Sequence, residues 1–163
     1  MGVLKSKIIK QPKTIKILVS GPSKSGKTVF ISTIIGDQID LVTYKETFAI
    51  GFYEKRYKRK DGQVFRLTFY DTAGNSKYRK YFSMFYDNTT INIIIYTDQD
   101  KKFREYIDLK KNLCPQAKLI LVKNAIGKEF EKKNPKYGAD GFYHMNVADK
   151  QNINLLLDDI TEK

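Results

Sequence analysis

The chain has 163 residues, enough for one domain with a sizeable core and short of two ordinary ones. Apolar residues make up 41% of it, which excludes global disorder, and 30 Lys and Arg against 18 Asp and Glu leave a net charge of +12. One cysteine, Cys114, excludes an internal disulfide framework and a cysteine-based zinc site, and no apolar run reaches the ~18 residues of a membrane-spanning helix. The apolar segments near the start are short and broken by lysines, unlike a secretory leader. A reducing, cytoplasmic setting is therefore expected.

Thr14 to Ser20 reads TIKILVS, a β-branched apolar run that predicts a first strand. It runs into GPSKSGKT, and VFISTII continues as a helix to Gly36. Residues 37–47 read as a loosely structured stretch. Ile50 to Tyr57 and Val64 to Tyr70 predict two strands joined through Asp61-Gly62, a favourable hairpin turn. Phe65, Leu67 and Phe69 share one face of the second. Ile91 to Thr97 is continuously apolar and predicts a strand buried on both faces. Lys101 to Leu113 places Phe103, Tyr106, Ile107 and Leu113 at helical spacing, and Pro115 ends that helix. Ala117 to Lys123 is another buried strand, and Phe142 to Asn146 a short last one. Lys150 to Ile160 closes the chain as a helix with Ile153, Leu156, Leu157 and Ile160 inward. Alternating strands and helices imply an α/β fold: a mostly parallel sheet, helices on both faces and one antiparallel edge from the hairpin. The basic block Lys55, Arg56, Lys58, Arg59, Lys60 reads as a solvated hairpin tip or as an attraction to something anionic. Tyr53 and Tyr57, interleaved with it, fit plain strand alternation.

Gly21-Pro22-Ser23-Lys24-Ser25-Gly26-Lys27-Thr28 fits G-x-x-x-x-G-K-[ST], between a predicted strand and a predicted helix as that motif requires. Gly21 and Gly26 let the backbone curl so that successive N–H groups face a phosphate, and the helix N-terminus behind adds partial positive charge. Lys27 is expected to reach the β- and γ-phosphates, and the Thr28 hydroxyl to bind Mg²⁺. Lys24 adds a charge that such a loop does not need.

A second element follows the Val64–Tyr70 strand: Asp71-Thr72-Ala73-Gly74-Asn75. An Asp at a strand end facing the phosphate loop can hold Mg²⁺ through water, and Gly74 can offer its N–H to a γ-phosphate. With these two motifs in register the chain resembles the Ras superfamily of small GTPases, most closely Rab- and Ras-like members. The similarity continues through Ser76-Lys77-Tyr78-Arg79-Lys80-Tyr81 and Phe85-Tyr86 into NIIIYTD, and covers about residues 14 to 162. It implies a P-loop G domain with a six-stranded sheet over residues 14–163, preceded by a basic extension over 1–13. It also implies GTP and GDP as ligands, Mg²⁺ as cofactor and slow hydrolysis. Effector and regulator proteins would read switch I (about 40–52) and switch II (71–85).

The chain departs from that family at three places. Asn75 stands where the family's water-orienting Gln belongs, and its amide falls about 1.5 Å short of the water. Slow intrinsic turnover is expected, with Asn75 and Lys27 as the catalytic candidates. In switch I, Ala49-Ile50-Gly51 puts Ala where a metal-binding Thr belongs; Thr47 or the more distant Thr43 could serve, or the hydroxyl is lost. At the base, the family's Asn-Lys-x-Asp is represented by Asn124-Ala125-Ile126-Gly127. Asn124 is kept and could brace the phosphate loop. The guanine-reading Asp has become Gly127, a loss of two charge-assisted hydrogen bonds worth about 3–6 kcal/mol, so binding is expected to be weak, base-promiscuous or shifted to another nucleotide. The third base motif survives as Asn146-Val147-Ala148-Asp149, with its alanine kept, and Asp149 is an alternative reader of guanine. The intervening segment is short for the family, so its helix is expected to be trimmed. By the resemblance Tyr44 is a candidate to stack on the base, with core packing as the equal alternative.

Met1-Gly2-Val3-Leu4-Lys5-Ser6 fits an N-myristoylation pattern at Gly2. Lys5, Lys7, Lys10, Lys13 and Lys16 could supply an electrostatic second signal toward an anionic membrane, as in Arf-like relatives. No cysteine lies near the last residue, so no prenyl anchor is expected in the chain as it stands. His144 and Cys114 read as structural. Four functional readings follow: a GTP-binding switch, a pseudo-GTPase scaffold acting by protein contact, a P-loop nucleotide kinase, and a nucleic-acid binder. The first leads. The arginines form no lid cluster for a kinase, and the charge alone is thin support for nucleic acid. A monomer is expected, cytoplasmic or peripheral on a membrane.

Overall fold

The computed structural model describes residues 11–36, 50–72 and 83–162. The elements are β1 (Lys13–Ser20), α1 (Lys27–Ile35), β2 (Ile50–Lys58), β3 (Val64–Thr72), α2 (Ser83–Tyr86), β4 (Ile91–Tyr96), α3 (Arg104–Leu113), β5 (Lys118–Asn124), β6 (Glu131–Lys133), β7 (Gly141–Met145) and α4 (Lys150–Ile160). They build one sheet in the order β2-β3-β1-β4-β5-β7-β6. The β3-β1-β4-β5-β7 run is parallel throughout, and the β2–β3 hairpin is antiparallel. This is the expected α/β fold.

The period-2 side-chain alternation of strands sorts the core onto two faces. Ile17, Val19, Ile91, Ile93, Ile95, Ile120, Val122, Tyr143 and Met145 share one cluster with Phe30, Ile31 and Ile34 of α1 and Ile153, Leu156, Leu157 and Ile160 of α4. Phe65, Leu67 and Phe69 join it, as their shared face predicted. The intervening residues Ile94, Leu119, Leu121 and Phe142 pack on the other face against Tyr106 and Ile107 of α3. All six residues of β4 are buried, the pattern of a central strand covered on both sides.

One element differs from expectation. Between β5 and β7 there is no trimmed helix; the chain instead forms β6, paired antiparallel with β7 through Glu131↔His144 and Lys133↔Phe142. The sheet thus has seven strands and a second antiparallel edge. A three-residue Glu-Lys-Lys strand has no apolar period to announce it, and its conformation comes from pairing with β7. Near β6 a cavity of about 450 Å³ opens among Tyr96, Phe103, Lys123, Tyr137 and Phe142.

Candidate functional site

The site sits at the carboxyl ends of β1 and β3, where open α/β sheets place their ligands. β1 ends at Ser20 and the chain curls through residues 21–26 into α1. Two glycines make the curl. Gly21 has φ +139, and a Cβ there would lie 2.1 Å from the Ile95 carbonyl oxygen. Gly26 has φ +103, and a Cβ there would lie 2.5 Å from Asn124 Nδ2. Lys24 also takes a left-handed conformation, φ 61, unusual for a side chain with a Cβ. Ser23 and Lys24 are exposed, whereas the Ser25 hydroxyl is buried with no hydrogen-bond partner among the described residues.

Lys27 opens α1 and is buried, 7% exposed. Its ammonium donates to the Pro22 carbonyl at 2.5 Å, so it lies across the loop. Burial pulls its pKa below the ordinary lysine value, opposed by the charges of Asp71 and Asp100. Thr28 Oγ1 donates to Asp71 Oδ2 at 3.4 Å. Asp71 lies at the end of β3 opposite Val19 of β1, and the next residue, Thr72, anchors that end by donating to the Val19 carbonyl at 3.0 Å. Burial pushes the Asp71 carboxyl up to about 6, with Lys27 and Thr28 working against it.

A hydroxyl and a carboxylate meet at this point, and Asp71 Oδ1 is buried without a hydrogen-bond partner among the described residues. Hard oxygen donors of this kind fit Mg²⁺, which takes one or two protein ligands beside phosphate and water. No group of three or more His, Cys, Asp or Glu side chains forms a metal cluster among the described residues. The Thr28 and Asp71 oxygens fit a cation that also takes phosphate and water ligands.

Two further loops close the site on the β5 and β7 side. Asn124, the last residue of β5, donates from Nδ2 to the Ser25 carbonyl at 3.0 Å and accepts at Oδ1 from Val147 N–H at 3.2 Å. The sequence anticipated this brace. Ala148 is exposed, and its N–H donates to Asn146 Oδ1 at 3.0 Å. Asp149 caps α4, accepting from Gln151 N–H and Asn152 N–H at 2.8 and 3.2 Å. Both bonds fall on Oδ1 of this exposed carboxylate. Gly127 has φ +71 in a turn closed by Lys128 N–H to Ala125 O at 3.2 Å, and Ile126 beside it is 98% exposed.

Gly2, Thr43, Tyr44, Thr47, Ala49, Gly74 and Asn75 lie outside the described residues. The structure adds Asn92, which the apolar reading of its strand passed over. Buried in β4, it donates to the Leu18 carbonyl at 3.0 Å and to Ser20 Oγ at 3.1 Å, fixing the end of β1 that feeds the loop. A single Asn within an isoleucine run was the available signal. His144 lies in β7, and Cys114 lies buried at the end of α3.

The model of the Roc family, described as "Ras of Complex, Roc, domain of DAPkinase", matches residues 16–127. The solved structure of Methanosarcina barkeri Roco2 RocCORdC bound to GDP is similar, with a TM-score of 0.68 at 18% identity. That match covers 92% of this chain and 48% of the other, so this chain spans about half the length of the protein it resembles. At this identity the likeness is one of fold, that of a P-loop G domain.

Proposed function

The chain belongs to the Roc family of Ras-like domains, and from that premise we propose that it is a small GTP-binding switch. It binds GTP or GDP with Mg²⁺ through residues 21–28, hydrolyses GTP slowly and presents residues 40–52 and 71–85 to a partner protein. One observation carries the reading: the buried Lys27 ammonium lies across a glycine-curled loop while Thr28 and Asp71 converge beside it. GDP is the ligand named for the Roco2 structure, which agrees with this ligand class.

In this reading the loop N–H groups and the α1 N-terminus cradle the phosphates, and Lys27 spans them. Thr28 and Asp71 hold Mg²⁺, which when bound neutralises charge on the transferred phosphate. Gly74 contacts the γ-phosphate and Asn75 orients water, the roles that the resemblance to small GTPases implies for those positions. Asn124 and Ala148 border the base. Thr47 is the switch I candidate for the metal. Phe52 and Met84, 56% and 67% exposed, lie within the two switch stretches. Tyr70 and Phe85 connect them, with ring centroids of Phe52–Tyr70 at 5.2 Å and Tyr70–Phe85 at 6.1 Å. An apolar surface beside loops that respond to a phosphate supports a protein effector. Rab-like action at a membrane, with Gly2 lipidated, is the finer part of the proposal.

The test is nucleotide binding by the purified chain with and without Mg²⁺, followed by phosphate release. Micromolar or tighter binding that weakens on chelation is expected, with turnover well below one per minute. Asn75→Gln is expected to raise turnover at least several-fold, since it restores reach toward the water. An unchanged rate would show that geometry at Asn75 is not limiting. Absence of binding to any nucleotide would favour the pseudo-GTPase scaffold, the reading that the altered base loop supports.

A further inference from the structure

We infer that this site does not select its base: ATP and GTP bind with comparable affinity, held by their polyphosphate. The inference rests on the proposed nucleotide site. A pocket rejects the wrong base strongly only when it offers polar groups matched to one base edge, which then go unpaired with another base. Guanine presents two neighbouring N–H donors and a carbonyl, so its reader needs a pair of acceptors and a donor.

The base must fall between the loops after β5 and β7, because Asn124 ties both to the phosphate loop. Most of the polar side chains there are engaged within the protein, Asp149 through Oδ1 among the described residues. Both ends of the Asn124 amide are used. Asn146 Oδ1 takes the Ala148 N–H at 3.0 Å. Asp149 is held on the first turn of α4 by two cap bonds. Asn152 donates to the Lys128 and Asn146 carbonyls and accepts from Phe130 N–H. Lys128 pairs with Glu131 at 2.9 Å.

What these loops otherwise present is Ala125, Ile126, Gly127 and Ala148, with the exposed Glu129 beyond the turn. Gly127 occupies the third position of a turn that demands positive φ, so the residue aligned with the guanine-reading carboxylate is spent on reversing the chain. Ile126 offers an exposed apolar side chain, which meets the face of any base and distinguishes no edge. Affinity therefore comes from the phosphate end, which all nucleoside triphosphates share.

The experiment is displacement of a fluorescent GTP analogue from the full chain in Mg²⁺ by GTP, ATP and XTP. Dissociation constants within about tenfold of one another are expected, with Lys27→Ala weakening all three together while its circular dichroism matches the wild type. GTP favoured over ATP by a hundredfold or more would overturn base indifference and leave the switch reading standing; it would mean that a carboxylate such as the exposed Glu129 reaches the base. Failure of every triphosphate to bind would overturn the nucleotide site itself, and the inference with it.

Discussion

Both ends of one amide, Asn124, hold separate segments together: Ser25 of the phosphate loop at 3.0 Å and Val147 after β7 at 3.2 Å. Asn124→Ala removes both hydrogen bonds, each worth about 0.5–1.5 kcal/mol, so a loss of about 1–3 kcal/mol is expected in urea denaturation. Nucleotide dissociation should quicken in the same variant, because the loop loses its brace. His144 gives a pH-dependent prediction. Burial, then the charges of Lys123 and Lys128, lower its pKa below the usual 6.5. The unfolded chain therefore takes up the proton first. The His144 contribution to stability should be full above pH 6.5 and be lost as pH drops from there toward the folded-state value, while Asp71, raised to about 6, works in the opposite direction. His144 is the only histidine, so its NMR titration gives that value directly, and His144→Gln should flatten the slope. Site legibility divides along the same line of locality. Gly21 to Thr28 could be read because a phosphate loop is contiguous and its residue types follow from its curl. Asn92 could not, since its partners, Leu18 and Ser20, belong to another strand and are fixed only by sheet register.

Among the elements, α4 shows how much a local signal carries. Its bounds, Lys150–Ile160, coincide with the stretch marked out by Ile153, Leu156, Leu157 and Ile160. Asp149 sits at its N-cap, where a carboxylate satisfies free N–H groups of the first turn. Asp149→Ala is expected to cost about 1 kcal/mol in chemical denaturation, and Asp149→Asn much less. If instead Asp149 served the base, its replacement would weaken GTP binding and leave stability unchanged. The strands were legible for a related reason: β-branched runs bounded by glycine, proline or charge leave few alternatives over four to eight residues. β6 escaped because Glu131, Lys132 and Lys133 carry no apolar alternation. Glu131 is instead held by Lys128 and Lys133, and its partner strand β7 supplies the pairing. The missing β5–β7 helix was half visible as a shortened segment, but length alone does not distinguish a trimmed helix from an added strand.

At the scale of the whole molecule, the net charge of +12 has to be divided between folding and partners. The basic hairpin tip belongs largely to the fold. Arg59 pairs with Asp61 and donates to the Thr161 carbonyl at 2.5 Å, and Lys60 lies 3.6 Å from Asp158 of α4. Tyr57 donates to the same Asp158 at 2.6 Å, so the hairpin is fastened to the C-terminal helix. Those contacts favour the solvated-tip reading of residues 55–60 over a docking face for anions. The first thirteen residues are different in composition: Lys5, Lys7, Lys10 and Lys13 stand there with no acidic residue. A lysine at an anionic bilayer contributes about 1 kcal/mol, so three of them amount to roughly a hundredfold in partitioning. The unmodified chain is therefore expected to sediment with phosphatidylserine vesicles at low salt and to be released by about 0.5 M salt, where screening shortens below 5 Å. Replacing Lys5, Lys7 and Lys10 with Gln should abolish that binding, while Lys55→Gln with Lys58→Gln should leave most of it. The reverse pattern would move the membrane face to the β2 edge of the sheet. Equal sedimentation with neutral phosphatidylcholine would show that charge is not what brings the chain to the surface.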